Sequence, residues 1–222
     1  MPATAQWRPI STVRSLSRLP AILCSTAASS PPATPNRCFT RAGWKRKRRM
    51  PFNADPYISK TPGFPKEGIT FYDISPILED SAVIRQAMDA LADLTRPMQP
   101  DIIAGVDARG FLFALPLALE LACGMVMVRK AGKLPGELFE QSYALEYGEA
   151  RLSIQASRQL RGKRIVLCDD LLATGGTLEA STRLVDQCGG ILAGAVCVIE
   201  LTGLKGRARL DCPVAALQTY EF

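Results

Sequence analysis

The sequence of 222 residues contains no histidine. That absence excludes histidine general bases, Ser-His-Asp triads and histidine-ligated metals. None of the seven cysteines (Cys24, Cys38, Cys123, Cys168, Cys188, Cys197 and Cys212) belongs to a C-x-x-C pair. Several lie in apolar runs, so buried free thiols in a reducing compartment are expected, rather than a disulfide framework or a zinc site. No apolar run reaches membrane length without interruption. Residues 111–128 come nearest, but Pro116, Glu120 and Gly124 break them, and they read as a buried helix running into a strand. Positions 1–49 hold ten Arg and Lys and no acid at all. Of 27 basic and 21 acidic side chains in total, the rest of the chain therefore has 17 basic against 21 acidic, a net of −4. The overall charge of +6 belongs to the leading segment, so a nucleic-acid reading based on pI fails for the folded part.

An apolar fraction of 47% with 22% charged residues is that of one soluble globular domain with a full core. The expected division is a basic, Ser/Ala/Pro-rich, disordered leader over residues 1–49 and one domain over 50–222. The leader's composition resembles an organelle transit peptide. Its run of Lys45, Arg46, Lys47, Arg48 and Arg49 also fits a nuclear signal or a basic tail. Met50 follows that run directly, so a third reading makes Met50 the physiological start and the leader translated upstream sequence. Cytoplasmic localisation is expected, with a mitochondrial or plastid location as the alternative if the leader is a genuine transit peptide.

Within the domain, residues 81–95 have the period of an amphipathic helix, with Val83, Ile84, Ala87, Met88, Leu91 and Leu94 on one face. Pro97 and Pro100 end it. Residues 102–106, 125–128, 165–168 and 195–201 are apolar runs of the kind that form strands buried on both faces. A helix is expected over 111–122, another after Thr177, a hairpin over 142–147 and 151–155, and a short strand over 214–217. Strands alternating with helices imply an α/β fold with a mainly parallel sheet flanked by helices.

In such a sheet, ligands collect beyond the carboxyl ends of the strands. Three of these ends are chemically loaded. The first carries Asp107, Ala108, Arg109 and Gly110. The second opens a basic loop with Arg129, Lys130 and Lys133. The third carries Asp169 and Asp170, then the turn Ala173, Thr174, Gly175, Gly176 and Thr177. Glycines let backbone N–H groups turn towards an anion, the threonines add donors, and the following helix presents its positive end, so a phosphate fits. Two carboxylates would repel that phosphate but accept hydrogen bonds from vicinal hydroxyls. A diol beside a phosphate is a ribose 5-phosphate. The basic loop could close over a highly charged group, for which pyrophosphate bound through Mg²⁺ is the natural candidate.

These residues carry a resemblance. VLCDDLLATGGT is similar to the phosphoribosyl-pyrophosphate motif of the type I phosphoribosyltransferases. PGFPKEGITFYDISPIL, GVDARGFLF, VRKAGKLPGE, SYALEYG and IELTGLKGR, in that order, resemble the adenine phosphoribosyltransferase family within them. The resemblance implies a small N-terminal hood, a mobile hairpin loop and a homodimer, with no nucleic acid or membrane as partner. It also implies transfer of the 5-phosphoribosyl group from phosphoribosyl pyrophosphate to adenine, giving AMP and pyrophosphate with Mg²⁺. Ala173, Thr174, Gly175, Gly176 and Thr177 would hold the 5-phosphate, and Asp169 and Asp170 the ribose hydroxyls. Asp107, Ala108 and Arg109, with the Asp107–Ala108 peptide cis, would bind pyrophosphate together with Arg129, Lys130 and Lys133. Glu146 would serve the purine protons, and Arg109 and Tyr147 the departing group. Ile69, Thr70, Phe71 and Tyr72 would line the adenine pocket. The family commonly has Arg where Tyr72 stands, and this ring could stack on adenine. A regulator on the same fold that senses phosphoribosyl pyrophosphate, or a transferase for another purine, are the alternatives.

Overall fold

A parallel sheet covered on both faces needs strands that are apolar at successive positions, because each face of the sheet meets a layer of helices. The computed structural model describes residues 52–144 and 149–221 and builds such a sheet from them. The strands are β1 (Ser59–Pro62), β2 (Thr70–Asp73), β3 (Ile102–Val106), β4 (Gly124–Lys130), β5 (Leu138–Ala144), β6 (Glu149–Gln155), β7 (Arg164–Leu172), β8 (Ile191–Leu201) and β9 (Val214–Tyr220). The helices are α1 (Ser75–Glu79), α2 (Ser81–Thr95), α3 (Gly110–Leu121) and α4 (Gly176–Gln187). Seven strands form one sheet in the order β5-β6-β4-β3-β7-β8-β9, and β1 pairs with β2 in a separate antiparallel ribbon. The expected fold class is therefore the one found.

Alternate residues of the central strands feed opposite cores. Ile103, Val166, Cys168, Val196 and Val198 join α2 and α3 on one face. Ala104, Val106, Ile165, Leu167, Ala195 and Cys197 join Leu178, Leu184 and Val185 of α4 on the other. Each fully buried Ile or Leu contributes roughly 1.5–3 kcal/mol. Gly105 admits α3 closely, since a Cβ there would lie 2.7 Å from the Ala114 methyl. The five described cysteines are free thiols. Burial pushes the thiols of Cys168 and Cys197 well above their usual range, which leaves them inert. Among the described residues no helix is long and apolar enough to cross a membrane.

Several expectations needed correction. α2 spans the expected residues, capped by Asp80, whose carboxylate accepts from the N–H groups of Ala82 at 2.7 Å and Val83 at 3.2 Å. Its buried stripe steps from Leu91 to Thr95, however, and Leu94 is exposed. Thr95 satisfies its hydroxyl on the Leu91 carbonyl at 2.7 Å, which lets it sit in the core. The hairpin begins earlier than expected on both strands, at Leu138 and Glu149, with residues 145–147 outside the described residues, and it joins the main sheet because β6 pairs antiparallel with β4 through Arg129–Ser153 and Lys130–Leu152. α3 is not a buried helix. Phe113, Ala114, Leu117 and Ala118 face the core, while Leu112, Leu115 and Leu119 are 47%, 54% and 71% exposed.

Candidate active site

Parallel pairing of β4, β3 and β7 brings the three loaded strand ends to one edge. The register sets Val106 beside Val128 and Gly105 beside Cys168. Asp107, just past the end of β3, and Arg129 of β4 therefore follow the Val106–Val128 pair, while Asp169 of β7 follows Cys168, level with Val106. Asp107 Oδ2 accepts from Arg129 Nε at 2.9 Å. Arg109 Nη2 lies 2.8 Å from Asp170 Oδ2, and its guanidinium stands 5.9 Å from the centre of the Phe71 ring. The Asp107–Ala108 peptide is cis, as expected. Gly110, which opens α3, is pressed against β7: a Cβ there would come within 2.6 Å of the Cys168 carbonyl and 3.1 Å of Asp169 Oδ1. A side chain at that point would separate the first strand end from the third.

Asp169 and Asp170 do not follow a strand but lie within it, since β7 continues to Leu172. The reason is β8, which is long enough to carry the ladder on through Leu171–Ile199 and Leu172–Glu200. Both carboxylates are consequently buried, 8% and 6% exposed. Burial, then the charge of Asp170, hold the Asp169 carboxyl well above the usual carboxylate range; the Asp170 N–H at 2.9 Å and Arg109 oppose this only in part. Two adjacent acids, one cation and little water favour ligands that donate hydrogen bonds.

The turn after β7 leads straight into α4, which begins at Gly176 rather than after Thr177. Gly175 is in the left-handed region at φ +83°, where glycine is the residue without a Cβ penalty. Gly176 and Thr177 are thus first-turn helical residues whose N–H groups have no intrahelical acceptor. They open on a cleft of about 540 Å³ that also takes in Ala173 and Thr174 from the turn and Ile69, Thr70, Phe71 and Tyr72 from the β2 segment. The two groups of residues expected to bind base and phosphate therefore share one cavity, of a size suited to a small ligand.

Sequence reasoning missed five cleft residues: Tyr143, Leu171, Leu201, Leu204 and Arg209. Tyr143 and Leu204 fall in segments that stood out only as whole motifs, SYALEYG and IELTGLKGR. Lys130 and Lys133 are exposed and do not line the cleft. Glu146 and Tyr147 lie outside the described residues. Tyr72 has one ring face occupied, because it stacks on Tyr220 at 4.6 Å between centroids and 25° between planes. The Tyr220 hydroxyl donates to Asp55 Oδ1 at 2.6 Å, and Lys60 Nζ reaches the same oxygen at 2.7 Å. Hydrogen bonds from Lys60 and then Tyr220 hold the Asp55 carboxyl below its usual range. Burial, then Asp55, push the Tyr220 phenol above its own. Tyr72 thus ties the β1–β2 ribbon to the last strand. Among the described residues no group of three or more His, Cys, Asp or Glu is placed to hold a metal ion.

The pattern of the phosphoribosyl transferase domain matches residues 73–216. An adenine phosphoribosyltransferase from Gluconobacter oxydans is 50% identical over 172 residues, covering 78% of this chain and 96% of its own length. One from Rhodospirillum rubrum is 48% identical over 169 residues, covering 76% of this chain and 99% of its own. Among solved structures, adenine phosphoribosyltransferase from Thermoanaerobacter pseudethanolicus superposes with a TM-score of 0.72 at 44% identity, covering 75% of this chain and 97% of that one. The Saccharomyces cerevisiae enzyme, solved with adenine and an imino-altritol bisphosphate, gives a TM-score of 0.70 at 40% identity over 73% of this chain and 95% of that one.

Proposed function

The chain belongs to the adenine phosphoribosyltransferase family and transfers the 5-phosphoribosyl group of phosphoribosyl pyrophosphate to adenine, giving AMP and pyrophosphate, and we propose that the cleft at the carboxyl edge of β7 and the strand ends beside it perform that reaction. One observation carries the assignment: the buried pair Asp169 and Asp170 lies in β7 just before a glycine turn that caps α4, and that turn lines one cavity together with the β2 segment. The N–H groups and hydroxyls of the turn, from Ala173 to Thr177, hold the 5-phosphate. Asp169 and Asp170 take the ribose hydroxyls. The backbone of Ile69, Thr70, Phe71 and Tyr72 holds the base. With Tyr72 stacked on Tyr220, the ring offered towards Arg109 is that of Phe71.

Pyrophosphate lies over the β3 and β4 ends, on Asp107, Ala108, Arg109, Arg129, Lys130 and Lys133. The cations at that edge face the anion, and Mg²⁺ would enter on the oxygens of the substrate itself, without a firm protein ligand among the described residues. The ion supplies charge neutralisation of the leaving pyrophosphate. As the bond from the anomeric carbon to pyrophosphate oxygen lengthens, positive charge develops on the ribose ring, as in glycoside cleavage. The purine nitrogen then forms the new bond and loses its proton. Arg109 and Tyr147 stabilise the leaving group, and Glu146 serves the purine protons. Tyr143 supports the last two roles, because it enters the cleft from β5, the strand that leads into residues 145–148.

The assay offers adenine, hypoxanthine, guanine and xanthine with phosphoribosyl pyrophosphate and Mg²⁺. AMP from adenine is the expected product, and its absence rejects the reading. Glu146→Gln should lower kcat about 10²-fold or more with little change in KM, the range for a lost general acid or base. A loss in affinity alone removes Glu146 from proton transfer.

The exposed Leu112, Leu115 and Leu119 form one stripe along α3. Such a patch supports a homodimer through this helix. Leu115→Glu combined with Leu119→Glu should convert the dimer to a monomer in light scattering after gel filtration. A wild-type monomer at micromolar concentration would end that reading. The free, buried thiols support a cytoplasmic location, and a mitochondrial or plastid one follows only if residues 1–49 act as a transit peptide.

A further inference from the structure

We propose that Glu200 and Arg207 are positioning residues for the 5-phosphate turn, acting through the backbone of Gly206. The inference rests on the assignment of that turn to the 5-phosphate. Glu200 is the penultimate residue of β8 and is only 3% exposed. It pairs in register with Leu172, the last residue of β7 before the turn. A carboxylate at such a depth requires a charged partner, and Arg207 supplies a two-pronged one. Arg207 Nε donates to Glu200 Oε1 at 2.8 Å, its Nη2 donates to Glu200 Oε2, and its Nη1 donates to the Val214 carbonyl at the start of β9. The guanidinium is therefore pinned between the end of one strand and the beginning of the next.

The residue before it touches the site. A Cβ on Gly206 would lie 2.1 Å from the Ala173 carbonyl oxygen and 2.8 Å from the Gly175 nitrogen. A Cβ on Gly175 would lie 2.4 Å from the Gly206 carbonyl oxygen. Two backbones meet here with no side chain between them, and one of them is the phosphate turn. The pinned Arg207 fixes Gly206, and Gly206 packs directly against the turn. This contact holds Gly175 in its left-handed conformation and keeps the N–H groups of Gly176 and Thr177 converging on one point. Donors arranged before the anion arrives need no reorganisation when it binds. Neither Glu200 nor Arg207 lines the cleft, and their hydrogen-bonding groups are turned on each other and on the Val214 carbonyl.

The experiment compares ribose 5-phosphate with ribose by calorimetry on the wild-type protein, Arg207→Lys, Glu200→Gln and Gly206→Ala, and measures KM and kcat for phosphoribosyl pyrophosphate. The wild type should prefer ribose 5-phosphate. Arg207→Lys, which keeps the charge but loses the fork, should weaken ribose 5-phosphate binding and raise KM for phosphoribosyl pyrophosphate by roughly 10–100-fold, with kcat recovered at saturation. Gly206→Ala should do the same without altering any charge, and it decides the matter if Arg207→Lys and Glu200→Gln fail to fold. A lowered melting temperature with ribose 5-phosphate affinity unchanged would show a purely structural pair and overturn the inference. A wild-type protein indifferent to the phosphate would instead overturn the assignment of the turn itself.

Discussion

Arg109→Ala is expected to lower kcat/KM for phosphoribosyl pyrophosphate by about 10²–10³-fold, the range for losing one donor aimed at developing negative charge. Arg109 stands where the parts of the site meet. It pairs with Asp170 at 2.8 Å, approaches the Phe71 ring, and sits in the strand-end loop held beside Asp107 and Arg129. Its removal deletes one of the cations proposed to face the departing pyrophosphate and leaves Asp170 buried without that partner. The guanidinium is 41% exposed, so water screens part of the pairing and the stability loss is the smaller effect. Arg109→Lys should recover the melting temperature but only part of kcat, because an ammonium pairs with a carboxylate yet cannot fork across two oxygens. Steady-state kinetics and thermal melts on both variants provide the check. Full kcat in Arg109→Ala would remove this residue from stabilising the leaving group.

Replacing the two acids should separate binding from stability. Asp170→Asn should weaken phosphoribosyl pyrophosphate by about 10–100-fold, the loss of one charge-assisted hydrogen bond of roughly 1.5–3 kcal/mol. Asp169→Asn should also weaken the ligand, yet stabilise the free protein. Burial and the neighbouring charge raise the Asp169 carboxyl above its value in the unfolded chain. A raised carboxyl favours the fold fully below the unfolded value and loses that contribution as pH rises through the folded one. Once pH has risen through that folded value, the wild type therefore carries an ionised acid in a poor environment. Asparagine removes the charge and keeps the oxygen that accepts from the Asp170 N–H. The melting temperature of Asp169→Asn should exceed that of the wild type by about 2–4 °C for each kcal/mol recovered, and the gap should close in acid. A gap that widens in acid, or a variant less stable at pH 8, would contradict the reading. Such a trade of stability for binding is the pattern expected of a functional site.

The relation of sequence to structure differs between the parts of this site. The turn 173–177 was legible because its chemistry is local. Glycine at a positive φ, threonine hydroxyls and a helix start require only neighbours in the chain. The same holds for the span of α2, whose apolar period and terminating prolines lie within one segment. The depth of Asp169 and Asp170 was not legible, because it depends on how far β8 extends beside them. Nor was the role of Tyr72, whose ring stacks on Tyr220, a residue itself held by Asp55 from the other end of the domain's sequence.

What the residues alone determined was the main alternation of strands and helices from residue 81 onward, the acid pair before a glycine turn, and the family resemblance that named a donor sugar and a base. These are carried by spacing, by apolar period and by conformations that only certain residues adopt. The tertiary structure decided which of these features meet. Strand order set Asp107 beside Arg129 and Arg109 beside Asp170, turned an apolar face of α3 outward, and pressed Gly206 against the phosphate turn. Such contacts join residues far apart in the chain. They exist only once the crossovers have placed one strand beside another, and no local pattern encodes that placement.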